Sequence, residues 1–435
     1  MYLTRRQFLS LLNAAAVAGI LPATRGLNAG AGMYDIPAKG DVRLLHFTDC
    51  HAQLLPVYFR EPNVNIGVGA ANGKAPHLVG THLLERFGLP ASNTLSTHAL
   101  TYLNYIEAGG KSGKVGGFAC LATLVKKLRA DFGEGKTLLL DGGDTWQGSG
   151  TAYWSRGMDM VGACNLLGVD VMTGHWEFTY QDTEVIENIR AFNGEFVAQN
   201  VKLTEDGLFE EQPAFDEDSG HVFKPYTIKE LNGVPVAVIG QAFPYTPIAN
   251  PQRFIPYWSF GIRDDEMQEI VDHIHEKEKP AAVILISHNG MDVDLKMASR
   301  VTGITAILGG HTHDGVPQAI EVSNANGVTL VTNAGSNGKF LGVLDLEINQ
   351  HRVSGYHYRL LPVFSNFIEP DAEMAAYIDT VRAPHLAALQ EPLGVTDSLL
   401  YRRGNFNGSF DQGVCGGLGG QGETPSSPSP GGRCG

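Results

Sequence analysis

The stretch "VRLLHFTDCHAQL", residues 42–54, sets the fold class of this chain. An apolar run of the kind that forms a buried strand passes directly into Asp49, Cys50 and His51, so residue types that bind metals follow the strand. In an extended backbone, residues two apart project to the same side. We therefore expect Asp49 and His51 to face one common site, and Cys50 to point away as a small buried hydrophobic residue.

Seven more short apolar runs follow, with helical stretches between them. Several are too uniformly apolar for a strand with one solvated face, which indicates a sheet covered on both faces and a layered α/β fold. One intervening stretch, "FACLATLVKKLRADFG", has helical spacing and a basic end before Gly133, which is a good stop signal for a helix. The seven runs are "TLLLDGGD", "VDVMTG", "FVAQNV", "VPVAVIG", "AAVILIS", "ITAILGG" and "VTLVTN".

The composition is that of a globular protein with a core, since 43% of its 435 residues are hydrophobic and 18% are charged. The formal net charge of -14 argues against binding to nucleic acid or to an anionic membrane surface, because either partner requires a basic face. An anionic substrate would therefore be held locally, by metal ions or a few arginines. The five cysteines have neither zinc-finger spacing nor the even count of a disulfide framework.

The N-terminus, residues 1–31, resembles a twin-arginine export signal. Arg5 and Arg6 stand directly before a short apolar run that is rich in alanine. That run is shorter than the ~20 apolar residues that span a bilayer, and Asn13 and Pro22 interrupt it. Cleavage near "LNAGAG" would give a periplasmic protein without membrane attachment.

The rest of the chain divides into four parts by its composition. We expect a catalytic domain over residues 41–365, a linker helix within 366–395, the start of a C-terminal domain at 396–412, and a disordered low-complexity tail at 413–435. The linker is helical from Glu369 to Leu389, with Pro384 as a kink or break. The abrupt change at 413 suggests a truncated C-terminal domain or a slip of reading frame.

A long insertion, residues 58–114, is rich in Gly, Asn and His. Loops of this length are usually functional lids or flexible excursions. We expect His77, His82 and His98 within it to be solvated rather than to bind a metal.

Candidate ligands follow the ends of five of the apolar runs, where open α/β sheets place their sites. Besides Asp49 and His51 they are Asp144 in "LLLDGGDTWQGSG", His175 in "TGHWEFTY", His288 in "AVILISHNGMD", and His311 and His313 in "AILGGHTHDG". Taken singly, Asp141 and Asp144 could form a simple turn and His175 could be a buried structural histidine. Together they supply carboxylate and imidazole ligands for two divalent ions of borderline hardness, such as Mn, Zn or Fe. Two such ions favour hydrolysis at a tetrahedral, oxygen-rich centre.

These motifs resemble those of the calcineurin-like metallophosphoesterase superfamily, in particular its 5'-nucleotidase branch, over about residues 41–364. The matching elements are "DCH", "GGD", "GHWEF", "SHNG" and "GGHTHD". The resemblance implies a layered β-sandwich flanked by helices, with a truncated C-terminal domain. It also implies two metal sites that share Asp144, one completed by Asp49, His51 and His313 and the other by His175, His288 and His311.

The chain departs from the family pattern in "GHWEFTY". Aligned on the glycine and "EF", His175 takes the place of a metal-binding Asn, Trp176 that of the catalytic His, and Thr179 that of an Asp. The residues of "GHWEFTY", together with "GGDTWQGSGTAYW" and "YRRGNFNGSFDQ", resemble the corresponding motifs of the SoxB family of thiosulfohydrolases. That family resemblance implies a dimanganese enzyme, with Zn²⁺ possible, that releases sulfate from a cysteine S-thiosulfonate on the carrier SoxYZ. We expect the protein to be a monomer.

On the same resemblance, Asp49, His51, Asp144 and His175 would be catalytic, and Trp176, Arg402 and Arg403 would contact the substrate. Simpler alternatives remain: Trp176 as a packed side chain, and the two arginines as surface residues before a turn. Asn200 could orient a ligand or satisfy backbone groups. Two other functions also remain open, a periplasmic 5'-nucleotidase-like phosphoesterase and an inactive, truncated metal-binding remnant.

Overall fold

The computed structural model describes residues 34–58, 69–91, 94–103 and 105–395. The predicted export signal, the predicted start of the C-terminal domain with Arg402 and Arg403, and the predicted low-complexity tail lie outside the described residues.

Fourteen strands form in the described part of the chain. They are β1 (Val42–Phe47), β2 (Thr137–Asp141), β3 (Val171–Met172), β4 (Glu195–Phe196), β5 (Lys202–Leu203), β6 (Tyr226–Leu231), β7 (Val234–Gln241), β8 (Trp258–Ser259), β9 (Ala282–Ser287), β10 (Ala306–Gly309), β11 (Ile320–Asn324), β12 (Gly327–Asn333), β13 (Phe340–Asn349) and β14 (Arg352–Pro362).

The same residues form thirteen α-helices and four short 3-10 helices. The α-helices are α1 (Gly80–Arg86), α2 (Thr94–Leu100), α3 (Tyr105–Ser112), α4 (Phe118–Phe132), α5 (Gly150–Ser155), α6 (Met158–Leu167), α7 (Asp182–Ala191), α8 (Glu205–Phe209), α9 (Thr246–Ala249), α10 (Asp264–Lys277), α11 (Met291–Arg300), α12 (Ala372–Arg382) and α13 (Leu386–Gln390). The 3-10 helices are Gly69–Ala71, Trp176–Tyr180, Gln252–Phe254 and Ala383–His385. None of the helices in the described ranges is long and apolar enough to cross a membrane.

Two six-stranded sheets carry the fold, and β5 and β8 form a small separate pair. The first sheet has the order β14-β13-β1-β2-β3-β4, with β1 to β4 parallel and β13 and β14 antiparallel at one side. The second has the order β11-β12-β10-β9-β7-β6, with four parallel strands between two antiparallel edge strands. The carboxyl ends of the parallel strands in each sheet therefore share one edge.

The sheets pack face to face, and helices cover their outer faces. Successive residues of one strand enter different cores, because their side chains point to opposite faces of the sheet. Leu44 lies between the sheets, and Leu45 lies under the helices of the first sheet. In β9, Ile284 lies between the sheets, whereas Leu285 packs with residues of α10 and α11. The prediction of a layered α/β fold with sheets covered on both faces is confirmed.

Helix α4 begins and ends where the sequence predicts. Its buried residues include Phe118, Leu121, Val125 and Leu128, which recur at three- and four-residue spacing on one face. Gly133 ends the helix with a φ of 106°, a value that favours glycine.

The predicted linker helix corresponds to α12, and the predicted break at Pro384 falls in the 3-10 helix Ala383–His385. Helix α12 lies against α4 and α6, with Met374 and Ile378 buried. The Tyr377 hydroxyl also donates to the Asp159 carbonyl at 2.8 Å. This helix is thus packed onto the layered domain.

The insertion after Tyr58 contains α1, α2 and α3 in its described parts. His82 is exposed, as predicted, and His77 is partly buried. The prediction of a solvated side chain was wrong for His98, which is fully buried. Its Nε2 donates to the Gly113 carbonyl at 2.9 Å, and its ring stacks on Phe364.

Candidate metal centre

All seven predicted ligand residues lie in the described structure and converge at the shared carboxyl edge of the sheets. Asp49 and His51 follow β1, Asp144 follows β2, and His175 follows β3. The second sheet supplies the rest, with His288 directly after β9 and His311 and His313 after β10. The centre therefore lies at the seam between the two sheets.

The backbone that carries these side chains is not extended. Positive φ values of 52°, 50°, 59°, 71° and 58° occur at Asp49, His51, Asp144, His311 and His313. The expectation that Asp49 and His51 converge because the strand continues through them was wrong, since β1 ends at Phe47 and left-handed turns direct both side chains to the site. Such conformations cost about 1–2 kcal/mol each for non-glycine residues and are concentrated at functional sites.

One group of possible ligand atoms comes from Asp49, His51 and His313, which all lie within 4.8 Å of one another. His313 Nε2 is 3.3 Å from Asp49 Oδ1 and 2.8 Å from His51 Nε2. Two imidazole nitrogens and a carboxylate oxygen thus point at one small volume, which is the arrangement that a divalent cation requires.

A second group comes from His175, His288 and His311, again within 4.8 Å of one another. The ring centroids are 4.9 Å apart for His175 and His288, and 5.1 Å apart for His175 and His311. His288 and His175 are buried, so these nitrogens form a three-imidazole set with little access to bulk water.

Asp144 lies between the two groups. Its Oδ1 is 3.5 Å from His51 Nδ1, whereas its Oδ2 is 3.2 Å from His175 Nδ1 and 3.8 Å from His288 Nε2. Each carboxylate oxygen therefore faces a different group, which suits an aspartate shared by two cations.

Hydrogen bonds hold the ligands in orientations that leave atoms available for a cation. Thr48 Oγ1 donates to Asp49 Oδ2 at 2.6 Å, and the His311 backbone N–H donates to the same oxygen at 2.9 Å. Asp49 Oδ1 shares that N–H at 3.1 Å and also faces His288 and His313. His288 Nδ1 must donate to the Gly142 carbonyl, 2.7 Å away, so in the neutral ring Nε2 carries the lone pair.

Buried polar atoms in the centre test whether these residues fit metal ions. Asp144 Oδ1, His175 Nε2 and His288 Nε2 are inaccessible to solvent and have no hydrogen-bond partner among the described residues. A buried polar atom without a partner is costly, and a coordinated cation would satisfy all three. The residues fit a dinuclear site for divalent ions, and the set of nitrogen and oxygen donors does not identify the metal.

The electrostatics of the ligand side chains point the same way. Burial lowers the pKa of His175 well below its usual value, with further lowering by His288, and the same causes lower the pKa of His311 to about 3. Burial would raise the pKa of Asp49, but His288 and other imidazoles outweigh it and hold that pKa low. Burial, and then the charge of Asp49, raises the pKa of Asp144. Neutral imidazoles and ionised carboxylates are the forms that bind cations, and a bound cation would supply the positive charge that keeps Asp144 ionised beside Asp49.

Cys50 lies fully buried in the apolar core, as predicted, and burial raises the pKa of its thiol. Asn200 donates to the carbonyls of Ala242 and Gly261 at 2.8 and 2.9 Å and accepts from the Ala242 N–H. The alternative that Asn200 satisfies backbone groups is therefore the correct one.

Aromatic residues surround the histidine group. Trp176 is partly buried, with its ring centroid 5.2 Å from that of His175. Phe243 was missed by the sequence reasoning, although its ring centroid is 4.2 Å from that of His175 and 4.1 Å from that of His311. Its position just after β7, a parallel neighbour of β9, is the signal that could have found it.

Comparison with known proteins gives the class of the fold. A 5'-nucleotidase precursor from Thermus thermophilus superposes with a TM-score of 0.62 at 22% identity, covering 81% of this chain and 60% of that chain. A snake venom 5'-nucleotidase from Gloydius brevicauda is 27% identical over 281 residues, which is 60% of this chain and 45% of the relative. No protein-family model matches the chain. The fold is therefore similar to that of 5'-nucleotidases, and the ligand side chains gathered at its sheet edge fit a dinuclear metal site.

Within that class, the chain is similar in structure to the sulfate thiohydrolase SoxB of Thermus thermophilus. The two superpose with a TM-score of 0.75 at 33% identity, covering 85% of this chain and 65% of that chain. The chain spans about half the length of the curated relatives that it matches.

Proposed function

We propose that this protein is a periplasmic thiosulfohydrolase of the SoxB kind, which releases sulfate from a cysteine S-thiosulfonate on the carrier SoxYZ. The observation that carries the proposal is Trp176, which lies beside His175 at the position of the leaving-group histidine in the phosphoesterase pattern. The similarity in structure to SoxB supports the same choice.

The residues at this position do not provide a general acid. Thr179 replaces the aspartate of the family pattern, and its Oγ1 donates to the Trp176 carbonyl at 2.7 Å. Neither an indole nor a threonine hydroxyl delivers a proton near neutral pH. Because general acid catalysis is commonly worth about 10²- to 10⁴-fold, a phosphate monoester with an alkoxide leaving group would be a poor substrate. A persulfide is a stable anion and leaves without that help.

The proposed site would hold two divalent ions, which we take to be Mn²⁺, with Zn²⁺ as the alternative. Asp144 would be shared, with Asp49, His51 and His313 completing one ion and His175, His288 and His311 the other. Such ions supply positive charge to the sulfonate oxygens and lower the pKa of the attacking water.

The protein's own side chains would shape the approach of the substrate. Trp176 and Phe243 are partly buried and Tyr245 is exposed, so an apolar rim borders the ligand residues. This rim suits the weakly hydrated sulfur atoms of a thiosulfonate. Arg402 and Arg403 stay proposed contacts for the sulfonate, outside the described residues.

The overall reaction balances without a redox partner. A water oxygen bonds to the sulfonate sulfur, and the bond between that sulfur and the neighbouring sulfane sulfur breaks. The electron pair stays on the sulfane sulfur. The products are a cysteine persulfide anion, sulfate and two protons.

A second candidate is a 5'-nucleotidase-like phosphoesterase, which the curated sequence relatives favour. The two are distinguished by giving the full-length, Mn²⁺-loaded protein either thiosulfonate-charged SoxYZ or AMP and measuring sulfate and phosphate. We expect sulfate release from charged SoxYZ and negligible phosphate release from AMP. The Asp144→Asn variant should release no sulfate. Rapid phosphate release without sulfate release would favour the 5'-nucleotidase-like phosphoesterase over the thiosulfohydrolase. A protein that binds two metal ions but forms neither product would favour an inactive remnant.

A further inference from the structure

Glu177 is a fully buried carboxylate beside the metal centre, and it belongs to none of the groups of possible metal ligands among the described residues. It accepts hydrogen bonds from four backbone N–H groups. Oε2 accepts from His175 at 2.7 Å and from Asp144 at 3.2 Å, and Oε1 accepts from Thr145 at 2.7 Å and from Trp146 at 3.0 Å. Among the described residues, no Lys or Arg pairs with it.

The four donors belong to two different ligand-bearing segments. Asp144, Thr145 and Trp146 form the turn after β2, whereas His175 follows β3. One Oε2 atom thus joins the backbone of the proposed shared aspartate to the backbone of a ligand from the second group. Charge-assisted bonds of this kind are stronger than neutral ones, so the junction is rigid.

The turn needs such support. Asp144 has a φ of 59° and the preceding Gly143 a φ of 91°, so an aspartate stands in a backbone conformation that L-residues seldom adopt. If the Asp144 backbone relaxed, its two carboxylate oxygens would no longer face the His51 and His175 rings at 3.5 and 3.2 Å.

We infer that Glu177 is the positioning residue of the dinuclear centre, fixing the shared Asp144 and His175 relative to each other through their backbones. This inference rests on the proposed dinuclear site. Only a carboxylate can accept all four backbone N–H groups, because each of its two oxygens accepts from two of them. A glutamine at this position would turn its NH₂ group towards two of those donors.

The test is Mn²⁺ binding by the full chain, measured by calorimetry and by the electron paramagnetic resonance signal of a coupled Mn²⁺ pair. We expect Glu177→Gln to weaken binding of the second Mn²⁺ by about 10- to 100-fold and to abolish the coupled signal. The matched control is Asp170→Asn, because Asp170 Oδ2 also accepts a β2 backbone N–H, that of Leu139 at 2.7 Å, at the opposite end of the strands. Thermal unfolding without Mn²⁺ reports folding of each variant.

Wild-type affinity and a coupled signal in a folded Glu177→Gln protein would overturn the inference, as would an equal loss in Asp170→Asn. If Glu177→Gln does not fold, Glu177→Asp replaces it, since that variant keeps the charge but shortens the reach. Wild-type Mn²⁺ binding by folded Glu177→Asp would then overturn the inference. A wild-type protein that binds fewer than two Mn²⁺ ions would instead contradict the proposed function itself.

Discussion

Asp49 and His288 meet across the two sheets, with Asp49 Oδ1 3.5 Å from His288 Nε2. Asp49 follows β1 of the first sheet and His288 follows β9 of the second. A cation bound between them would therefore join the sheets at the edge where their parallel strands end.

Removal of metal should destabilise the whole layered domain. A ligand at 100 times its dissociation constant stabilises the native state by about 2.7 kcal/mol per site. We expect EDTA to lower the midpoint of thermal unfolding by several degrees and excess Mn²⁺ to restore it. The His288→Ala protein should show a smaller Mn²⁺-dependent shift. If the unfolding curves measured with EDTA and without EDTA are the same, no stabilising cation binds at this seam.

A methyl group at Gly310 should disturb the centre. A Cβ there would lie 3.0 Å or less from Thr48 Oγ1, Asp49 Oδ2 and His288 Nδ1, so the two ligands would have to move. We expect Gly310→Ala to weaken Mn²⁺ binding by at least about tenfold, as measured by calorimetry.

Gly110→Ala is the matched control, because a Cβ at this helical position meets nothing within 4 Å. It should bind Mn²⁺ normally and be neutral or slightly more stable. Equal affinity in both alanine variants would show that the close approach at Gly310 does not affect the ligands.

The identity and the place of the candidate ligands could be predicted from sequence, whereas the local backbone could not. Long apolar runs indicate strands, and polar residues after parallel strands such as β9 and β10 must share an edge, which is why His288 and His311 were found. The left-handed φ values of Asp49 and His51 were missed because Asp and His adopt that conformation only in a minority of cases, so their presence in a sequence does not predict it.

Contacts between residues far apart in sequence explain the other misses. His98 sits in a polar, glycine-rich stretch that indicates solvent, yet the fold packs its ring against Phe364. In the sequence "GHWEF", nothing distinguishes Glu177 from a surface acid. The backbone N–H donors of residues 144–146 reach it only because β2 pairs with β3 in the fold.

The buried pair of Arg43 and Asp345 should be essential for stability. Both residues are fully buried, with Arg43 Nε 2.7 Å from Asp345 Oδ1 and Nη2 2.8 Å from Oδ2. Asp345→Ala would leave a buried guanidinium without its carboxylate, and we expect a loss of about 3–5 kcal/mol in the free energy of unfolding in urea.

The surface pair of Lys127 and Asp131 provides the comparison. Asp131→Ala should cost no more than about 1 kcal/mol, since exposed ion pairs are weak. Similar losses in the two alanine variants would contradict a special role for the buried pair.

Glu195 should make stability depend on pH. It lies on edge strand β4 and binds Lys224 at 2.9 Å and also Lys229 of β6, which belongs to the other sheet. Burial raises its pKa, but the two lysines outweigh burial and lower the pKa from 4.5 to about 2. Its contribution is therefore complete above pH 4.5 and is lost as the pH falls towards 2.

In Glu195→Gln we expect a loss of about 0.5–1 kcal/mol at pH 7, a modest value because the group is largely solvent-screened. The difference from wild type should shrink below pH 4.5 in urea titrations. The exposed Glu217→Gln serves as control and should show no such trend. If the loss in free energy of unfolding of Glu195→Gln stays constant from about pH 7 to about pH 3, the ion pairs are not its cause.

Restoring the phosphoesterase pattern at positions 176 and 179 should create nucleotidase activity. The double variant Trp176→His, Thr179→Asp places an imidazole and its supporting carboxylate beside His175, whose ring lies 5.2 Å from that of Trp176. Because a general acid is worth about 10²- to 10⁴-fold for an alkoxide leaving group, we expect at least about a tenfold gain in Mn²⁺-dependent phosphate release from AMP. Trp154→His is the control, since Trp154 is a half-exposed tryptophan that stacks on His385 in another part of the fold. If the double variant folds, binds two Mn²⁺ ions and still releases no more phosphate than Trp154→His, residue 176 does not decide between a thiosulfonate and a phosphate ester as substrate. The main support for a thiosulfohydrolase is then removed.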